Sequence, residues 1–267
     1  MVGAHVLERY AYFSARDEAR LEDLNVALRD DRIDAIWCIR GGYGMTRLLD
    51  GVDFDALRRR PRPVMGYSDI TALHAGVNRC AGIVSYHSPV ARENITPFTR
   101  DSFVRAMRGE SSCGVAAGAR VIRGGSAHGR LAGGNLALMA ALAGTPYLPD
   151  LTGAILVLED VNEALYRVDR MLTQLRLAGA LRDLAGIAFG QCTDCDADES
   201  PDDTREQRTL DVVLREHADA IGVPCLAGIP LGHIDEHWTI PLGALATLDA
   251  DARALTVHPT TELTGTI

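Results

Sequence analysis

Three residue types that together can perform acyl transfer fall at the ends of apolar runs in this 267-residue chain. Ser68 follows Pro63-Val64-Met65-Gly66 in the stretch RPVMGYSDITALH, where a short apolar run gives way to a helical pattern. Glu159 closes AILVLE, and His233 lies in Leu231-Gly232-His233, just after LAGIP. A serine hydroxyl is a poor nucleophile until a neighbouring imidazole takes its proton, and a carboxylate then orients the imidazole and stabilises its cation. Backbone N–H groups must receive the charge that develops on the attacked carbonyl oxygen, and losing one such donor costs ~10²–10³ in rate. The Asp69 N–H, directly after Ser68, is one natural donor. The Gly41-Gly42 pair of RGGYG is the other, because residues without Cβ let backbone approach a substrate closely.

Each of these residues also has a plainer role. Ser68 is a good helix N-cap. RGGYG can be a tight turn or a phosphate loop, although it lacks the Lys-Ser/Thr ending of a P-loop and does not match G-x-G-x-x-G. Glu159 can pair with Arg167 or Arg170, His237 rivals His233, and Asn135 of GGNLALM can cap a helix. The G-x-S-x-G nucleophile elbow is not met, because Ile70 stands where its second glycine belongs.

The elements that must position these residues follow from the apolar pattern. AIWCI (35–39), PVMG (63–66), AILVLE (154–159) and AGIAFG (185–190) read as buried strands. Helical spacing marks 21–30, 70–77, 135–144, 167–177 and 210–219. Strands alternating with helices imply the α/β class, with sites at the C-terminal ends of the strands. The expected architecture is an N-terminal parallel-sheet domain with flanking helices (1–115), a glycine- and serine-rich linker (116–130) and a C-terminal α/β domain (131–267). The end of that second domain, TIPLGALATLDA and ARALTVHPT, alternates as antiparallel strands do. DCDADESPDDTRE (194–206) reads as a solvated acidic loop. It opens like a calcium loop but has Glu199 and Arg205 where glycine and a carboxylate are needed.

Composition narrows the function classes. With 36 acidic against 27 basic residues and a formal net charge of −9, the chain offers no basic surface for nucleic acid or an anionic membrane. No run approaches the roughly 20 apolar residues of a membrane span, and MVGAHVLERYAY does not have the pattern of a signal peptide. Four of the six cysteines read as small buried hydrophobes. Cys192 and Cys195 form a C-x-x-C with no second pair to complete a zinc site. A reduced, cytoplasmic protein without a metal is the expectation.

Five stretches together resemble the LD-carboxypeptidase family of serine peptidases: IWCIRGGYGMTRLL, VMGYSDITALH, GGNLALMAALAGTPYLP, ILVLEDVNEALYRVDRMLTQLRLAG and GIPLGHIDEHWTIPLG. They occur in family order from about residue 10 to the C-terminus. The resemblance implies a nucleophile at Ser68 in the N-terminal domain, with the acid and His233 in the C-terminal domain and the site between them. The family glutamate falls in LEDVNE. Glu159 is chosen because it ends a strand, leaving Glu163 to touch substrate with Arg40, Tyr43, Asn135 and Arg167. The implied reaction is hydrolysis of the amide before a terminal D-alanine in cell-wall tetrapeptides, serving cytoplasmic peptidoglycan recycling by a homodimer without cofactor. Two alternatives are a microcin-immunity peptidase cleaving a peptide–nucleotide amide and a non-catalytic muropeptide binder. Family members usually begin with a further strand and helix, so the N-terminal sheet here is expected to be one strand short. A start assigned too far downstream accounts for this, the alternative being a genuinely short form.

Overall fold

The computed structural model describes residues 1–195 and 208–259, so most of the acidic stretch 194–206 lies outside the described residues. The first half holds helix α1 (Asp17–Arg29), strand β1 (Ile36–Trp37), α2 (Phe54–Arg59), β2 (Val64–Gly66), α3 (Thr71–Gly76), β3 (Ser85–His87) and α4 (Pro97–Met107). There follow β4 (Arg120–Arg123), β5 (Ser126–Asn135), α5 (Leu136–Ala141), β6 (Ile155–Val161), α6 (Leu165–Leu177) and β7 (Gly186–Thr193). The last elements are α7 (Leu210–Ile221), β8 (Cys225–Ala227), β9 (Ile240–Leu242), β10 (Leu245–Asp249) and β11 (Ala254–Val257).

Two sheets organise these elements. The smaller has the order β1-β2-β3-β9, its first three strands parallel and β9 antiparallel to β3. The larger has the order β11-β10-β5-β6-β7-β8-β4, with a parallel centre from β5 to β8 and antiparallel strands at both ends. The apolar runs become strands because helices cover them. On α6, Val168, Leu172 and Leu175 are buried at helical spacing, in one core with Leu156, Leu158 and Phe189 of the larger sheet. A second core lies between the sheets and includes Tyr86, Leu131, Val157 and Ile240.

Residues 116–130, expected as a linker, contain β4 and the first half of β5. β9 leaves the C-terminal portion to complete the N-terminal sheet, pairing Tyr86 with Pro241. At the other edge of that sheet β1 pairs with β2, Trp37 is 41% exposed, and a cavity of about 1040 Å³ runs beside it. All six cysteines are free thiols. Among the described residues no helix is long and apolar enough to cross a membrane.

Candidate active site

The site begins at the end of β2. Tyr67 continues extended, and Ser68 then turns the chain at φ 65° into a single 3₁₀ turn, Ser68–Ile70, that runs into α3. Left-handed backbone at a non-glycine residue costs about 1–3 kcal/mol and persists where the surroundings impose it. α3 carries no side-chain cap, so Ser68 does not take the capping role. Ile70 is buried and packs over Gly66, which gives this turn its tight strand–helix approach from before the serine rather than after it.

Glu159 and His233 arrive from the larger sheet. Glu159 stands near the end of β6 with no exposed surface. Gly232 has a φ of 123°, and a Cβ there would sit 3.2 Å from the Glu159 carboxylate, so glycine lets the chain lay His233 directly on the acid. His233 Nδ1 lies 2.8 Å from Glu159 Oε2 and Nε2 lies 3.1 Å from Ser68 Oγ. A carboxylate can only accept, so Nδ1 carries the proton and donates it, which leaves Nε2 of the neutral ring free to accept from the serine hydroxyl. The Thr193 hydroxyl fixes the histidine further by donating to its backbone carbonyl at 3.3 Å. Burial lowers the pKa of His233, but Glu159, Asp160 and Glu93 outweigh it and hold the imidazole above its ordinary value.

The RGGYG loop closes over the serine. A Cβ on Gly41 would fall 2.8 Å from Ser68 Cβ, so only glycine permits this contact. The loop is tied down by Asp69, whose carboxylate accepts the Met45 N–H at 2.9 Å with that of Gly44 alongside. Burial pushes the Asp69 pKa up despite these bonds.

The remaining residues are placed differently. Asn135 is buried, caps α5 by accepting the Leu138 N–H, and donates to Asp160 at 3.0 Å. Glu163 lies 3.6 Å from Arg167, which also donates to the Tyr166 hydroxyl. Arg40 is exposed and donates to the Gly41 carbonyl, and exposed Tyr43 stacks on Phe13. His237 is buried beside Tyr67 rather than on the serine. Sequence reasoning missed the Asp69 carboxylate and Thr193, and the grouping of Tyr67, Glu93 and His87 near His233. Tyr67 and Asp69 flank Ser68 in GYSD and could have been weighed for that reason, whereas nothing local marks Glu93 or Thr193. No group of three or more histidine, cysteine or acidic side chains placed to hold a metal occurs among the described residues.

Comparison with known proteins adds to this geometry. Residues 1–88 match the family model of the LD-carboxypeptidase N-terminal domain, and residues 128–248 match that of the LD-carboxypeptidase C-terminal domain. The murein tetrapeptide carboxypeptidase of Pseudomonas aeruginosa is 36% identical over 267 residues, covering 94% of this chain and 83% of that protein. The crystal structure of muramoyltetrapeptide carboxypeptidase from Oxalobacter formigenes superposes with a TM-score of 0.83 at 30% identity, covering 93% of this chain and 86% of that one. The microcin C7 self-immunity protein MccF shares the fold with a TM-score of 0.84 at 23% identity, covering 97% and 85% of the two chains.

Proposed function

The chain belongs to the LD-carboxypeptidase family of serine peptidases, and on that premise we propose that it removes the terminal D-alanine from muropeptide tetrapeptides by acyl transfer through Ser68. The observation that carries this reading is the continuous relay from Ser68 Oγ through His233 to Glu159.

In the proposed cycle Ser68 Oγ attacks the carbonyl carbon of the amide while its proton passes to His233 Nε2. The carbonyl oxygen, now an anion, takes hydrogen bonds from the Asp69 N–H and from the glycine loop at Gly41 and Gly42. Collapse of the tetrahedral intermediate breaks the C–N bond as His233 gives its proton to the departing amine of D-alanine. Water then enters, His233 takes one of its protons, and attack on the acyl ester releases the shortened peptide and restores the serine. Buried Glu159 stabilises the imidazolium in both halves of the cycle. Arg40, Tyr43, Glu163 and Arg167 remain the proposed substrate contacts, with Asn135 acting from its cap position. The family's cytoplasmic peptidoglycan recycling by a homodimer is the proposed setting.

The test is mass spectrometry of a tetrapeptide muropeptide incubated with the wild type and with Ser68→Ala. Loss of one D-alanine with the wild type alone supports the reading. No loss with wild type, together with cleavage of a peptidyl-nucleotide amide, transfers the enzyme to the microcin-immunity chemistry. Binding of the muropeptide without turnover of either substrate makes it a binder.

A further inference from the structure

Beside the imidazole of His233 lies a cluster of aromatic and titratable side chains that the relay itself does not include. The Tyr67 ring packs against His233 with centroids 4.9 Å apart and planes at 53°. The same ring meets His87 at 5.7 Å and His237 at 5.6 Å. Both of those histidines are buried, and among the described residues neither ring nitrogen of His87 has a hydrogen-bond partner. Three imidazoles therefore surround one phenol, and the phenol O–H leaves the cluster to donate to Glu93 Oε1 at 3.3 Å.

Glu93 is itself held. Its Oε2 accepts the Val90 N–H at 3.2 Å, and its N–H closes a turn onto the Val90 carbonyl at 3.1 Å. Ala91 and Arg92 donate to the carbonyls of Cys38 and Ile39, just past the end of β1. His237 Nε2 stands 4.0 Å from Glu93 Oε1. A carboxylate fixed this well to the backbone, and tied to the ring that lies on the general base, is more than a surface charge.

We infer that Glu93 is a positioning residue for the reaction: through Tyr67 it holds the His233 ring in line with Ser68, and its charge favours the imidazolium that forms when the serine loses its proton. This inference rests on the reading of Ser68 and His233 as nucleophile and base. The other groups facing His233 are Glu159 and Asp160 on β6, Ser68 and Tyr67 after β2, His87 on β3, and His237 on its own segment. His87 and His237 are pushed toward the neutral form by burial, so across the neutral range the negative charge near His233 comes from the carboxylates.

The experiment measures the rate of covalent labelling of Ser68 by a fluorophosphonate as a function of pH, which follows the base without requiring the true substrate. Wild type, Glu93→Gln and Tyr67→Phe are compared, with circular dichroism to verify folding. In Glu93→Gln the acid limb is expected to move down by a few tenths of a pH unit as one negative charge is lost. Its plateau rate is expected to fall about three- to tenfold as the ring loosens. Tyr67→Phe keeps the ring and the charge but cuts the link, so its plateau falls while its limb stays near that of the wild type. Profiles of both variants superimposable on the wild type overturn the inference while leaving the nucleophile reading intact. If Glu93→Gln does not fold, an unchanged plateau in Tyr67→Phe overturns it alone. A wild type that is not labelled at all removes the underlying reading and the inference with it.

Discussion

Glu159 and Glu163 lie one helical turn apart in sequence, but strand geometry separates their chemistry. Glu159 is fully buried against His233, while Glu163 is partly exposed, at 23%, and faces Arg167. Glu159→Gln should therefore cut kcat by about 10³–10⁴, since an amide neither fixes the tautomer nor stabilises the cation. Glu163→Gln should act mainly on KM, and tetrapeptide kinetics on both variants distinguish the two carboxylates. Because the His233 pKa is raised and the base must be neutral, kcat/KM in the wild type should fall on the acid side with a midpoint above 6.5. Another buried histidine adds to the acid sensitivity of the fold. His74 is buried, its Nε2–H donates to the Gly66 carbonyl, and burial lowers its pKa to about 4. Between about 6.5 and 4 the unfolded chain binds a proton at His74 that the native chain does not, so this group costs about 1.4 kcal/mol of stability for each pH unit of acidification. Urea unfolding of His74→Gln should show a pH slope shallower by that amount over that window. An unchanged slope would mean that His74 titrates normally in the native state.

At the scale of elements, the site depends on two loops held by single carboxylates. Asp69 binds the glycine loop over Ser68, and Asp160 accepts from Asn135, from the Ala137 N–H and from its neighbour Val161 to seat α5. Asp69→Ala leaves the Met45 N–H without its partner, a loss of about 1–3 kcal/mol. It also frees Gly41 from the serine, so kcat should fall more steeply than thermal stability. A variant that loses stability with normal kcat would show that the loop holds its place without Asp69. The elements legible in the sequence were those whose burial is carried by an unbroken apolar run, such as β2, β6 and β7, or by helical spacing, such as α6. The first half of β5 fell within 116–130, read as a linker because that glycine- and serine-rich stretch shows no sustained period, and its place is set by neighbours on both sides rather than by its own side chains. β3 was missed because three residues, Ser85-Tyr86-His87, are too few to show a period. The signals for α4, Thr96 as cap and Pro97 in the first turn, were present and went unused.

Across the whole molecule, Ser68 and His233 are 165 residues apart, and no local pattern could have shown that they meet. The contact is made by chain from the C-terminal portion lying on N-terminal elements. Thr99 of α4 donates to the Asp235 carbonyl at 3.1 Å and accepts the His237 N–H at 3.1 Å, and Ser102 accepts the Thr239 N–H at 2.9 Å. Ser112 donates to the Thr239 carbonyl at 2.7 Å, and at the next residue β9 begins its pairing with β3. The segment that carries His233 is thus fastened to the sheet that carries Ser68, and separating the halves would strip β9 from β3 and open the core between the sheets. A chain of this size with two sheets could unfold in two steps, but this stitching favours one. In a urea titration, fluorescence of Trp37 and Trp238, far-ultraviolet circular dichroism and fluorophosphonate labelling of Ser68 should all change with a common midpoint. If labelling is lost at lower urea than the other signals, the His233 segment detaches while both sheets stand, and the site is held by its own loops rather than by the shared strand.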